Sequence, residues 1–161
     1  MVLLLECFVG MLLFALITVP STARDPLSVI SDYPPAIRKR CIELGLVKDT
    51  KKRFTPKDII RKVIAVIVLV ILLSFILKRL NKPVTFFEAF RDAYIIWLAI
   101  TWFDAFIVDC LWFCHSPKTR IPGAEDMKEY HDYLFHIRQS LIGSLIGIPA
   151  CLIVAAVTMA L

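Results

Sequence analysis

Four apolar segments, each close to the length needed to cross a lipid bilayer, constrain this chain more than any other feature of its sequence. They lie at about residues 2–19, 59–79, 86–113 and 138–161. Hydrophobic residues make up 58% of the 161 residues, which is more apolar surface than one water-soluble core of this size can bury. The sequence therefore predicts a single integral membrane domain over residues 1–161, with an all-α fold that forms an antiparallel four-helix transmembrane bundle.

The distribution of Lys and Arg predicts how the four segments are oriented. The connection between the first two, with its flanks, contains 11 of the 19 basic residues, and the third connection contains four more. Because cytoplasmic connections are rich in Lys and Arg, we expect a multi-pass protein of the cell membrane with residues 20–58 and 114–138 in the cytoplasm and both termini outside. The net charge of +5 then reflects topology and contact with anionic lipid headgroups rather than nucleic-acid binding.

The first apolar segment has an alternative interpretation as a cleaved signal peptide, because Ser21-Thr22-Ala23 resembles a cleavage site. Its start, however, has Glu6 and no Lys or Arg. Cleavage would also leave the most basic connection outside, against the charge rule. We therefore expect an uncleaved first helix.

Local signals predict where helices and turns begin. Thr55 with Asp58, and Thr85 with Glu88, each have the spacing of a capping box at a helix start. The third helix then begins near Phe86, and its Glu88, Arg91 and Asp92 should form a solvated surface cluster. Residues 121–124, Ile-Pro-Gly-Ala, read as a type II turn.

A short amphipathic helix is predicted in the first cytoplasmic connection. Between residues 36 and 44, Ile37, Cys41 and Leu44 share one side, and Gly45 ends the segment. We expect this helix to lie at the membrane interface and to contact lipid headgroups.

Two aspartates, Asp104 and Asp109, lie inside the third apolar segment, where an unpaired charge would cost about 2.5 to 3.5 kcal/mol. On a regular α-helix they would be about 140° apart, with Thr101 nearby. Asp109 should pair with a base, for which Arg138, Arg61 and Lys62 are the candidates. Asp104 should be protonated, hydrogen-bonded, hydrated or ligand-bound. Asp104, Asp109, Thr101 and Arg138 are therefore the predicted ligand-binding residues.

All three histidines, His115, His131 and His136, lie in the third connection together with Glu125. Imidazole and carboxylate groups bind divalent cations, so these four residues are the candidates for a metal site, and a divalent metal is the cofactor that such a site would hold. The spacing of His131 and His136 is not that of a zinc-binding helix. A solvated, charged connection is the simpler interpretation.

A stripe of small residues at four-residue intervals runs along the fourth segment. Its members are Gly143, Gly147, Cys151 and Ala155. Such stripes allow a second helix to approach closely. The sequence does not decide between packing inside one chain and association into a homo-oligomer.

Three functions are compatible with these features. The first is binding or translocation of a cation, a proton or a small lipid-like molecule through an acidic intramembrane site that opens to the cytoplasm. The second is an enzyme that acts on an amphiphilic substrate by Asp/His acid–base or metal chemistry at the cytoplasmic interface. The third is a noncatalytic membrane subunit. No motif of a nucleotide-binding loop or a nucleophile decides among them.

Overall fold

The computed structural model describes residues 1–48 and 56–161, and every regular element in this part of the chain is helical. The main helices are α1 (Val2–Arg24), α2 (Pro35–Glu43), α3 (Pro56–Ile76), α4 (Phe86–Phe103) and α5 (Tyr133–Ala160). Short 3₁₀ turns cover Pro26–Asp32, Pro117–Thr119 and Lys128–His131. π-helical segments extend α3 over Leu77–Asn81 and α4 over Asp104–Phe113.

Four of the described helices are long and apolar enough to cross a membrane, which confirms the four predicted apolar helices. They cover Val2–Arg24, Ile59–Asn81, Phe86–Phe113 and Tyr133–Ala160. The third has the predicted bounds. The fourth begins five residues earlier than predicted, because the helix starts ahead of its apolar part and includes His136 and Arg138.

The chain divides into two compact units. The first contains Met1–Gly10, Gly143–Leu161 and the described residues of Lys51–Ile100. Its core joins α1, α3, α4 and α5 through small and branched side chains, which are Cys7, Leu77, Ala93, Ile96, Cys151 and Val154. Cys151 and Ala155 of the small stripe are buried here.

The second unit contains the described residues of Met11–Thr50 together with Thr101–Ile142. Its core is richer in aromatic and polar groups and consists of Ile30, Tyr33, Ile37, Cys41, Phe113, Cys114, Ile121 and Tyr130. The ring of Tyr33 meets that of Phe113 edge to face, with centroids 4.7 Å apart. The Tyr33 hydroxyl donates to the carbonyl oxygen of Thr119 at 2.9 Å. This network fixes the chain around the end of the Asp104–Phe113 segment.

The predicted amphipathic helix exists as α2, but its apolar face packs on protein. Ile37 and Cys41 are both 0% exposed within the core of the second unit. The apolar face is thus covered by the core of the second unit, whereas contact of this helix with lipid headgroups stays a prediction. The basic side chains of α2, including Arg38 and Lys39, are exposed.

Two of the local signals are confirmed. The amide of Glu88 donates to Oγ1 of Thr85 at 3.2 Å, and the Glu88 carboxylate accepts from the Thr85 amide at 3.1 Å, as a capping box requires. The amide of Ala124 donates to the carbonyl of Ile121 at 3.0 Å, with Gly123 at a φ of +83°, the positive angle of a type II turn. The capping box predicted at Thr55 lies outside the described residues.

Candidate functional site

An aspartate and a histidine meet within the second unit. Oδ2 of Asp109 lies 3.0 Å from Nδ1 of His136. The imidazole is 3% exposed and the Asp109 side chain 26% exposed. Asp109 comes from the π-helical end of the α4 span and His136 from the first turn of α5, so two long helices together position the pair.

The π-helical backbone places Asp104 on the same side of its helix as Asp109. In a π-helix each amide donates to the carbonyl five residues earlier, as the Cys114 amide does to the Asp109 carbonyl at 3.0 Å. Asp104 and Asp109 are five residues apart, so they lie on the same side of the π-helical segment. The separation of about 140° expected for an α-helix is therefore wrong here. Asp104 interacts electrostatically with Asp109, with His136 and with Asp32.

Aromatic rings surround the imidazole of His136. Its ring centroid lies 5.2 Å from that of Phe113 and 5.3 Å from that of Phe135, both edge to face. Its second ring nitrogen, Nε2, is buried and has no hydrogen-bond partner in the described part of the chain. Because buried polar atoms normally have partners, this nitrogen is an unusual feature of the site.

The structure gives Asp109 a different partner from those that the sequence indicated. Arg138, one of the candidate bases and a predicted ligand-binding residue, is exposed on α5, and the side chain of Lys62 lies outside the described residues. Thr101, also predicted, is half-buried one turn before Asp104. The sequence predicts His136 as a metal ligand or as part of Asp/His acid–base chemistry, not as the partner of Asp109. Its pairing with Asp109 could not be found by spacing, because it depends on where α5 begins.

The four candidate metal ligands separate into three places. The rings of His115 and His131 lie 5.4 Å apart, and Nε2 of His115 lies 3.2 Å from the Tyr133 hydroxyl. His136 contacts Asp109 instead. Oε2 of Glu125 accepts a hydrogen bond from the Gly123 amide at 2.7 Å within the type II turn. Across residues 1–48 and 56–161 no group of three or more His, Cys, Asp or Glu side chains is arranged to hold a metal ion. The metal site stays a prediction.

Arg120, in the third connection, was not among the predicted site residues. Its guanidinium lies 4.0 Å above the ring centroid of Tyr130, and Nη2 donates to the carbonyl of Cys114 at 2.7 Å. Burial, with the nearby Cys110 and Asp109, raises the pKa of the Cys114 thiol to about 12. Through its contacts with Tyr130 and with the Cys114 carbonyl, Arg120 links two parts of the connection that follows the π-helical segment.

A second polar group lies in the first unit. Asp92 is 6% exposed; it accepts from Nη2 of Arg91 at 2.8 Å and from Nδ2 of Asn81 at 3.2 Å. Both oxygens of Glu6 are also buried. Asn81 and Asp92 are close enough to interact electrostatically with the Glu6 carboxylate. The predicted solvated cluster is therefore wrong for Asp92, which the end of α3 covers through Asn81.

The small stripe on α5 packs against Trp97 of α4 in the same chain. Nε1 of Trp97 donates to the carbonyl of Gly143 at 3.0 Å, and a Cβ atom on Gly147 would lie only 2.2 Å from that nitrogen. Packing inside one chain, one of the two expected alternatives, thus occurs. Association of two copies through Gly143, Gly147, Cys151 and Ala155 stays a prediction and would require Trp97 to move.

Comparisons of this chain with models of protein families, with curated proteins and with solved structures gave no match.

Proposed function

We propose that this protein binds protons at the cytoplasmic end of a four-helix transmembrane bundle and passes them into the membrane along Asp109, His136 and Asp104. The contact of 3.0 Å between Asp109 Oδ2 and His136 Nδ1 is the observation that carries this proposal. This contact favours the proton among the cation, proton and lipid-like ligands that the sequence left open.

The chemistry of the pair suits a proton. Imidazole is the side chain that ordinarily changes charge near neutral pH, and a carboxylate that binds Nδ1 leaves Nε2 as the position where a proton arrives or leaves. That nitrogen is buried and without a partner among the described residues. The aromatic rings of Phe113 and Phe135 lie beside the imidazole and limit its contact with water.

The position of the pair suits a membrane site. Asp109 lies four residues before the end of the Phe86–Phe113 span, and His136 lies three residues after the start of Tyr133–Ala160. The pair therefore belongs near one membrane surface, which the Lys and Arg distribution assigns to the cytoplasm. Asp104 and then Thr101 continue the polar line toward the middle of the span, where ionisable residues commonly mark ion pathways.

Proton flux into liposomes tests this proposal. The full chain is reconstituted with a pH-sensitive dye inside, and a potassium diffusion potential set by valinomycin drives proton entry. Wild-type protein should acidify the lumen, whereas Asp109→Asn and His136→Gln should reduce the flux to that of empty liposomes. Asp104→Asn should do the same, because it removes the carboxylate that receives the proton from the pair.

Two matched controls separate loss of the site from loss of charge. Asp126→Asn and His131→Gln remove the same kinds of side chain at exposed positions of the third connection, and both should transport like the wild type. Wild-type flux in Asp109→Asn, or flux that needs Na⁺ or K⁺ in place of protons, would contradict the proposal. Equal melting temperatures in detergent would show that the variants are folded.

A further inference from the structure

A basic cavity lies between the start of α2 and the start of α5 in the second unit. Its volume is about 330 Å³, and the residues that line it include Ser31, Arg38, Lys39, Ile42, Phe135 and Gln139. We propose that this cavity binds the phosphate headgroup of an anionic membrane phospholipid. The proposal does not use the Asp109–His136 pair, because neither residue lines the cavity, although Phe135 belongs to both sites.

The cationic groups of the cavity are available to a ligand. Arg38 and Lys39 are exposed, and among the described residues neither forms an ion pair. The next residue, Arg40, differs: its Nη1 lies 3.6 Å from Oε2 of Glu43, and its Nε donates to the carbonyl of Gly123 at 3.4 Å. Two unpaired cations in one cavity attract an anion, and the guanidinium can bind a phosphate through two hydrogen bonds.

The wall behind these cations is rigid. Tyr33, also part of the lining, is 2% exposed, and its hydroxyl is committed to the carbonyl of Thr119 at 2.9 Å. Ile37 lies one residue before Arg38 and is 0% exposed in the same core. Because the backbone of α2 is fixed in this way, Arg38 and Lys39 project from a set position, and a ligand loses less entropy on binding.

The apolar side of the cavity favours a lipid over a soluble anion. Phe135 and Gln139 are four residues apart on one face of α5. This helix is long and apolar enough to cross a membrane, and Ile142, three residues beyond Gln139, is 50% exposed. A phosphate held by Arg38 and Lys39 would therefore have apolar helix surface directly beside it, where acyl chains can lie.

Native mass spectrometry of the full chain in detergent can measure this binding, with phosphatidylglycerol as the probe and phosphatidylcholine as the reference lipid. Diffuse attraction of an anionic lipid is worth about 1 kcal/mol per basic residue, or about fivefold in affinity, wherever the residue lies. A seated headgroup predicts a larger effect at the cavity. We expect Arg38→Gln and Lys39→Gln each to weaken phosphatidylglycerol binding by about tenfold or more.

Two further variants distinguish a seated headgroup from diffuse attraction. Arg40→Gln removes the same charge outside the cavity and should weaken binding by about fivefold at most. Ser31→Phe keeps every charge and places a bulky ring in the cavity, so it should weaken binding as strongly as Arg38→Gln. Wild-type binding by Ser31→Phe, or equal losses in Arg38→Gln and Arg40→Gln, would overturn the proposal. Inorganic phosphate should not displace the lipid at millimolar concentration, and displacement would assign the cavity to a soluble anion.

Discussion

Gly147 offers a sharp test of how α4 and α5 pack in the first unit. A Cβ atom at this position would lie 2.2 Å from Nε1 and 2.3 Å from Cδ1 of Trp97, although real Cβ contacts below 3.0 Å essentially do not occur. The indole is also held by its hydrogen bond of 3.0 Å to the Gly143 carbonyl. In Gly147→Ala the added methyl group must therefore displace the ring and break that bond.

The expected cost follows from three contributions. Overpacking a tight contact costs about 1 to 3 kcal/mol, and loss of the hydrogen bond costs about 0.5 to 1.5 kcal/mol. Replacing Gly by Ala inside a helix returns about 1 kcal/mol. We expect Gly147→Ala to lower the free energy of unfolding by about 0.5 to 3.5 kcal/mol, measured by denaturant titration in mild detergent.

A double-mutant cycle supplies the control. In the Trp97→Ala background there is no indole to displace, so Gly147→Ala should be neutral or stabilising by up to about 1 kcal/mol. Equal destabilisation by Gly147→Ala in both backgrounds would refute the assignment of this contact to Trp97.

Three further predictions concern topology and the core of the second unit. In intact cells a membrane-impermeant maleimide should label Val84→Cys, whose native side chain is 81% exposed, but should label Lys128→Cys only after permeabilisation; the reverse pattern would invert the topology. Cys114, 0% exposed and with a pKa raised to about 12, should resist maleimide at neutral pH, because the thiolate is the nucleophile; rapid labelling of folded protein would contradict its burial. Burial also raises the pKa of Tyr33 above its ordinary value of 10.0, so its contribution to stability should be complete below about pH 10 and lost as the pH rises further. Tyr33→Phe should remove that alkaline loss and lower stability by about 1 to 3 kcal/mol at neutral pH, because the Thr119 carbonyl loses its donor; an unchanged alkaline unfolding profile would argue against it.

Those features of the fold that depend on local sequence could be predicted. Apolar length was sufficient to predict the four long helices, and residue chemistry was sufficient to predict the Thr85–Glu88 capping box and the turn at Gly123. The amphipathic pattern of α2 also predicted a helix correctly. What covers its apolar face depends on contacts with residues far along the chain, such as Tyr130, and no local pattern reports those.

The candidate site was predicted in part, for a related reason. Asp104 and Asp109 could be recognised because a carboxylate in an apolar span is costly. Their relation to each other could not, because α-helical spacing was assumed where the backbone is π-helical. The partner of Asp109 was also missed, since the apolar run begins after His136 while the helix itself begins at Tyr133.

The claim that Asp109 and His136 bind a proton as a pair can be tested by infrared difference spectroscopy of the full chain in lipid nanodiscs between about pH 5 and pH 8, where imidazole ordinarily titrates. If the account is correct, a carboxyl band that changes with pH in the wild type will be absent in Asp109→Asn. The same band will be altered in His136→Gln but retained in His131→Gln. A wild-type band that persists in Asp109→Asn, or one that His136→Gln leaves unchanged, would contradict the account.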